Sequence, residues 1–483
     1  MSTPSAPDPS DRSGSVSRRA LLRTAALAGG SLATAAALPG IAAAKGPRSA
    51  QGAQPLVPDP TLLPLTLGLT FFANPALDFN ARFALGAAGC ACADVGEVVT
   101  AINAANQAGG TIQSFVDAFG ALADRTGAYA SQARTAGQKV TAREAHLRAS
   151  EYYAQALFFV LGTSAPSREA DLFALGRGHW DAAVRLFGPE VVRVRIPYEK
   201  TTMPGWLLRP DTSGDARPTV IVNNGSDGQV VEAYAYGAAA AVERGWNALL
   251  FDGPGQGALL FEREIPFRPD WEAVVTPVVD WLRNRSDVDA DRIALTGWSM
   301  GGELVARAAA FEPRLAAVVS DPGAVNIWLA WPENLRTLAA SGDATEVNRA
   351  WNEVVVPALT PDEGFDIKKR GEIFGAEFLK EAREGKVLSD FALLAQRIQE
   401  YDVLEVAPKV QVPMLVTDYE LEQFYPGQAR ELYGLLTGPK DYVTFEVSQG
   451  AQYHCAPMAP QFRNEVVFDW LDDTVVKKKK KKR

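Results

Sequence analysis

The sequence predicts an α/β protein: a mostly parallel sheet with helices on both faces, an N-terminal helical domain ahead of it, and a helical insertion before the penultimate strand. Three observations predict this. Residues 71–187 repeat apolar side chains at three- and four-residue spacing with few β-rich runs. After residue 190 come eight short β-rich runs, most of the later ones separated by helical patterns. About ninety residues of mainly helical character then separate the sixth run from the seventh, more than one crossover needs.

In chain order, residues 96–104, 111–123 and 142–161 read as helices of the first domain. Thr141-Ala142-Arg143-Glu144 has the form of a capping box opening the last and longest of them. The β-rich runs are residues 191–196, 205–208, 219–222, 247–251, 293–296, 316–320, 414–417 and 442–447. Helical patterns at 230–243, 269–285 and 301–311 alternate with them, and a helix at 461–471 follows the last. The expected division is a leader at 1–44, a Pro-rich linker at 45–70, a helical domain at 71–189, a sheet domain at 190–473 with its insertion at about 325–400, and a basic tail at 474–483.

Composition narrows the function. With 483 residues, 47% hydrophobic and 22% charged, the chain is long enough for two domains with a sizeable core. The net charge is −9 although Lys477 to Arg483 are all basic, so the body is decidedly acidic and nucleic acid is not an expected partner. No CxxC pair, HExxH or Walker loop occurs, so neither a metal nor a nucleotide cofactor is expected. Asp252-Gly253-Pro254-Gly255-Gln256-Gly257 lacks the lysine of a phosphate loop and reads as a tight turn beside the active crevice. Cys90, Cys92 and Cys455 are too few and too unevenly spaced for a disulfide framework and read as packed thiols, with a bond to Cys455 in the mature protein as the alternative.

At the N-terminus, Arg18-Arg19 precedes an apolar Ala/Leu/Gly stretch at 25–38 and the small residues Ala42-Ala43-Ala44. The stretch is too short and Gly-rich to span a bilayer comfortably. It reads as a twin-arginine (Tat) signal, with a mature, exported protein beginning near Lys45 and no integral membrane segment.

The chemistry centres on Gly297-Trp298-Ser299-Met300-Gly301, set between a strand-like run and a helix-like run. A strand turning sharply into a helix lifts a serine hydroxyl out at the strand's carboxyl end, and glycines relieve the crowding around it. A serine needs a base to take its proton. Of three histidines, His146 and His179 precede the sheet, which leaves His454, a short loop beyond the last strand. Enzymes built on such an elbow run serine, acid, histidine along the chain, so the acid follows the strand at 414–417. Glu422, shortly before Pro426, is preferred over Asp418, and Glu420 is the other candidate. For a developing oxyanion, the N–H of Met300 and that of Gly225 or Ser226 are the expected donors. Trp328, Trp331, Phe365 and Phe374 in the insertion either line a substrate pocket or form its core.

With these residues in place, the chain resembles the branch of the α/β-hydrolase superfamily that carries an N-terminal helical domain. That branch includes 2,6-dihydroxypseudooxynicotine hydrolases, fungal pigment polyketide-shortening hydrolases and bacterial hydrolases labelled dipeptidyl aminopeptidases. The resemblance rests on Cys92-Ala93-Asp94-Val95-Gly96-Glu97, on residues 142–153 with their Arg148-Ala149-Ser150-Glu151-Tyr152-Tyr153, on Phe251 with the Asp252–Gly257 turn, and on the serine elbow. It implies an α/β-hydrolase fold and a substrate entering between the two domains. It also implies Ser299 as nucleophile, His454 as base and Glu422 as acid, where the commoner residue is aspartate. Carbon–carbon bond hydrolases of the group add a carboxylate after the strand that follows the elbow, for which Glu333 is the match. The expectation is therefore a hydrolase of carbonyl substrates, esters first. C–C hydrolysis, peptidase activity and a non-catalytic binding protein on the same fold are the alternatives.

Overall fold

The computed structural model describes residues 69–477. The twin-arginine segment, most of the linker and most of the lysine tail lie outside the described residues.

Among the described residues, five α-helices precede the sheet: α1 (Pro75–Gly86), α2 (Val95–Gln107), α3 (Ile112–Thr135), α4 (Lys139–Phe159) and α5 (Glu169–Phe187). Their starts are set by side chains that satisfy first-turn N–H groups. Asn74 caps α1, Asp94 caps α2, and Thr111 and Ser114 cap each other's backbone at α3. The capping box expected at Thr141–Glu144 does not form. Helix α4 already begins at Lys139, and Ala142 N–H donates to Gln138 O at 2.9 Å, so the helical ladder has formed before a cap at Thr141 could act. Among the described residues the longest helix is α3, with 24 residues, and not α4. Asp94, Glu97, Arg148 and Tyr152 join α2 to α4: Tyr152 donates to Glu97 at 2.7 Å and accepts from Asp94 N–H at 2.9 Å, while Arg148 Nε donates to Glu97 at 3.0 Å.

All eight β-rich runs form strands of one sheet: β1 (Val191–Tyr198), β2 (Thr201–Leu208), β3 (Arg217–Asn223), β4 (Asn247–Phe251), β5 (Val288–Trp298), β6 (Ala317–Asp321), β7 (Met414–Tyr419) and β8 (Lys440–Phe445). Their order is β1-β2-β4-β3-β5-β6-β7-β8, with β1–β2 and β2–β4 antiparallel and every other pair parallel. The helix expected at 230–243 is α6 (Val230–Ala233) and α7 (Ala239–Glu243) joined by a π-turn at Tyr234–Ala238. Helices α8 (Gly257–Phe261), α9 (Glu272–Arg283) and α10 (Gly301–Phe311) follow along the chain. Helix α9 keeps one apolar stripe, Val274, Val275, Val278, Val279 and Leu282, and all five are buried.

Between β6 and β7 the insertion contributes α11 (Glu333–Ala339), α12 (Ala344–Ala350), α13 (Pro361–Gly371), α14 (Ala376–Arg383) and α15 (Phe391–Gln399). Trp331, Phe365 and Phe374 are buried in it. Phe365 meets Phe159 of α4 at 5.4 Å, Phe374 meets Tyr401 at 5.2 Å, and Trp328 meets Trp331 at 5.9 Å. These aromatics pack against one another and their neighbours, and Phe365 seats the insertion on the helical layer. Helix α16 (Gln428–Leu435) follows β7, and α17 (Pro460–Leu471) follows β8. Among the described residues no helix is long and apolar enough to cross a membrane. All three cysteines are free thiols.

Candidate active site

Strand β5 ends at Trp298 and α10 begins at Gly301, so Ser299 and Met300 are the whole turn. Ser299 holds φ +58°, the left-handed region that a side chain normally avoids. The turn is fixed from both sides: Ser299 N–H donates to Asp321 O at 2.8 Å, and Gly302 N–H to Ser299 O at 2.9 Å. A Cβ at Gly297 would stand 2.2 Å from Gly301 O, which is why this elbow admits only glycine there.

His454 lies in the loop between β8 and α17, buried, with its ring 4.7 Å from that of Phe424, 5.7 Å from Tyr425 and 6.4 Å from Phe79. Its Nδ1 meets Glu422 Oε1 at 2.8 Å and Oε2 at 2.9 Å. Glu422 Oε1 also accepts the N–H groups of Phe424 (2.8 Å) and Tyr425 (3.1 Å), so the carboxylate is anchored before it reaches the ring. Gln423 Oε1 accepts His454 N–H at 3.3 Å. The other ring nitrogen, Nε2, is buried with no hydrogen-bond partner in the protein. Burial alone would push the imidazole down; the adjacent Cys455 sulfur and the Glu422 carboxylate oppose it, and the net direction is well above the ordinary value. Because burial keeps Cys455 a thiol, Glu422 is the charge that matters at neutral pH.

Asp321, at the end of β6, ties the two loops together. Its carbonyl accepts from Ser299 N–H and from Cys455 Sγ, the residue after His454. Its carboxylate is wholly buried, bound by Arg463 of α17 on one oxygen and by Thr417 and Tyr419 on the other. The loop after β3 closes on the serine from the remaining side: a Cβ at Gly225 would lie 2.8 Å from Ser299 Cβ and 3.4 Å from its Oγ.

Other residues singled out in the sequence sit elsewhere. Asp418 accepts the Tyr442 hydroxyl and the N–H of Tyr419, and Glu420 accepts Val447 N–H, so neither is on His454. Glu333 is exposed at the first turn of α11 and makes no contact with Ser299 or His454. His146 and His179 pair with each other in the helical layer, Nδ1 to Nδ1 at 2.8 Å; burial lowers both, His146 to about 4. Phe79, Phe424, Tyr425 and Asp321 went unread in the sequence. Only the nearness of residues 424 and 425 to Glu422 offered a signal, and for Phe79 there was none.

Glu303, four residues past Ser299 on α10, is fully buried with both carboxyl oxygens unpartnered, and burial raises it to about 8. A carboxyl raised on folding favours the native state below its unfolded value and loses that advantage as pH climbs toward 8. Glu303→Gln is therefore expected to stabilise the protein more at pH 8 than at pH 5. Thermal melts at the two pH values check this, and an equal shift at both would contradict it.

A mostly parallel sheet with a serine elbow after β5 and a buried histidine–carboxylate pair beyond the last strands is the architecture of the α/β-hydrolases, and this protein is a hydrolase of that superfamily. Within it, the model of the X-Pro dipeptidyl-peptidase (S15 family) matches residues 192–454, more than half of the chain, and the chain belongs to that family. Curated relatives include the alpha/beta hydrolase ucsC of Acremonium sp, 35% identical over 243 residues, covering 44% of this chain and 49% of that protein. The alpha/beta hydrolase xenA of Xenoacremonium sinensis is 28% identical over 382 residues, covering 75% and 84%. The match thus spans about half the length of the first relative and most of the second. Among solved structures, the 2,6-dihydroxy-pseudo-oxynicotine hydrolase superposes with a TM-score of 0.54 at 21% identity, covering 75% of this chain and 88% of that one. AbyA5 gives 0.51 at 15% identity, covering 73% and 88%. At these identities the likeness is one of fold.

Proposed function

We propose that the protein is an exported serine hydrolase that cleaves a carboxylic ester through an acyl-enzyme. Ser299 Oγ attacks the carbonyl carbon while His454 Nε2 takes its proton. Glu422 holds the imidazole by Nδ1 and stabilises its charged form. Met300 N–H and the loop at 225–226 receive the oxyanion. His454 then returns the proton to the leaving alkoxide, and a water repeats the sequence to free the acid and Ser299. The observation that carries this reading is the anchored Glu422–His454 bond, whose far nitrogen is left open in a chain with a left-handed serine elbow.

Intact-mass analysis after treatment with a fluorophosphonate tests it. One adduct on the wild type and none on Ser299→Ala are expected; an adduct of equal yield on both would place the reactive group elsewhere. Esters are preferred over C–C substrates because alcohols leave more easily than carbanions, and Glu333, the acid that a C–C reading requires, is exposed. The family's name raises a peptidase reading, so Xaa-Pro anilides belong beside aryl and alkyl esters in the substrate panel. Faster turnover of the anilides would replace the ester reading. Export is supported by Arg18-Arg19 and the Ala42-Ala43-Ala44 site. Secreted material is expected to begin near Lys45, and an uncleaved N-terminus on protein recovered from outside the cytoplasm would count against it.

A further inference from the structure

The Asp252–Gly257 turn lies next to the oxyanion loop, and its Gln256 side chain is buried. Gln256 Nε2 donates to Asn224 O at 2.8 Å and to Gly225 O at 3.1 Å, while its Oε1 accepts Gly253 N–H at 3.2 Å. Two successive peptide carbonyls of the loop are therefore pinned by one amide. In a trans peptide the C=O and the N–H point in opposite directions, so fixing a carbonyl also fixes the N–H of the following residue. Asn224 O shares a peptide unit with Gly225 N–H, and that N–H is consumed by Asn224 Oδ1 at 2.8 Å. Gly225 O shares its unit with Ser226 N–H, which meets no acceptor among the described residues; neither does Met300 N–H. Of the two residues that the sequence leaves open for the second oxyanion donor, Gly225 is already spent and Ser226 is free.

The turn is itself braced. Asp252 binds Arg177 of α5 through both oxygens, at 2.8 and 3.0 Å, and accepts Ala258 N–H at 3.0 Å. We propose that Gln256 is a positioning residue for the oxyanion site, holding the Gly225–Ser226 peptide so that the Ser226 N–H acts as the second donor beside Ser299. The inference rests on the serine-hydrolase reading above.

The test uses the full-length mature protein with Gln256→Glu, which places a carboxylate against two carbonyls, and Gln256→Met, which deletes the donors without burying a charge. Loss of one oxyanion donor lowers kcat by about 10²- to 10³-fold. That fall is expected in both variants with KM for an aryl ester little changed. The affinity of an aryl trifluoromethyl ketone, whose adduct with serine mimics the tetrahedral intermediate, should fall in step with kcat/KM. A merely structural role would alter melting temperature and KM and leave that proportionality absent. If Gln256→Glu does not fold, Gln256→Met carries the same expectation. Wild-type kcat in Gln256→Met beside an inactive Ser299→Ala overturns this inference alone, whereas turnover by Ser299→Ala overturns the reading beneath it.

Discussion

Glu422→Gln is expected to lower kcat by about 10⁴-fold with the fold intact, the size of effect seen when a triad carboxylate becomes an amide. The position of the anchors decides the outcome. Oε1 is held by the N–H groups of Phe424 and Tyr425, so the amide oxygen of the glutamine stays there and its NH₂ takes the Oε2 position, 2.9 Å from Nδ1. That donor competes for Nδ1 with the amide oxygen 2.8 Å away, so the ring proton is no longer held on Nδ1 and the tautomer that carries it on Nε2, the nitrogen that must accept from serine, becomes populated. The pH profile changes as well. The base works only when neutral, and His454 is raised in the folded protein, so the acid limb of kcat/KM in the wild type should lie above the ordinary histidine range. With the Glu422 charge removed, burial dominates and the limb moves to lower pH. A steady-state pH series on both proteins reads both effects; an unshifted limb, or a loss below about tenfold, would remove Glu422 from the role of acid.

The largest stability effect is expected at Arg463. Its guanidinium is buried, with Nε on Asp321 at 2.7 Å and Nη1 on Tyr236 O and Asn464 Oδ1 at 2.8 Å each. Removing one member of a buried pair leaves the other charge uncompensated, a loss of about 3–5 kcal/mol. Arg463→Met is expected to destabilise by that amount in denaturant titration, and Asp321→Asn with Arg463→Met to recover part of it. A single-variant loss under about 1 kcal/mol would mean that water or another cation replaces Arg463. Because Asp321 O also receives Ser299 N–H, the single variant should lose activity at temperatures below its melting midpoint.

The strands were readable because each is a short run of apolar, aromatic or β-branched residues whose neighbours along the chain break the pattern, and burial of the sheet core demands such runs. Ser299 was readable as the candidate nucleophile because an elbow needs glycines at fixed offsets, and His454 as the candidate base because few histidines compete for that place. Glu422 followed from chain order and the proline beyond it. The parts that stayed hidden are set by contacts between distant segments. Nothing in α1 marks Phe79 as a neighbour of His454, and nothing in α17 marks Arg463 as the partner of Asp321. The Asp252–Gly257 turn was seen as a turn, but the reach of Gln256 depends on how β3 and β4 lie side by side. The box at Thr141 misled because local pattern cannot tell where a helix already propagating from Lys139 has begun.

The left-handed serine has an evolutionary reading. A non-glycine residue held in that region carries about 1–3 kcal/mol of local strain, which glycine would relieve and asparagine would lessen. A descendant of this chain that kept the fold only to bind a ligand would gain stability by drifting to one of those residues at position 299. Under the proposed serine-hydrolase reading, a reactive hydroxyl at position 299 is what would offset that loss of stability.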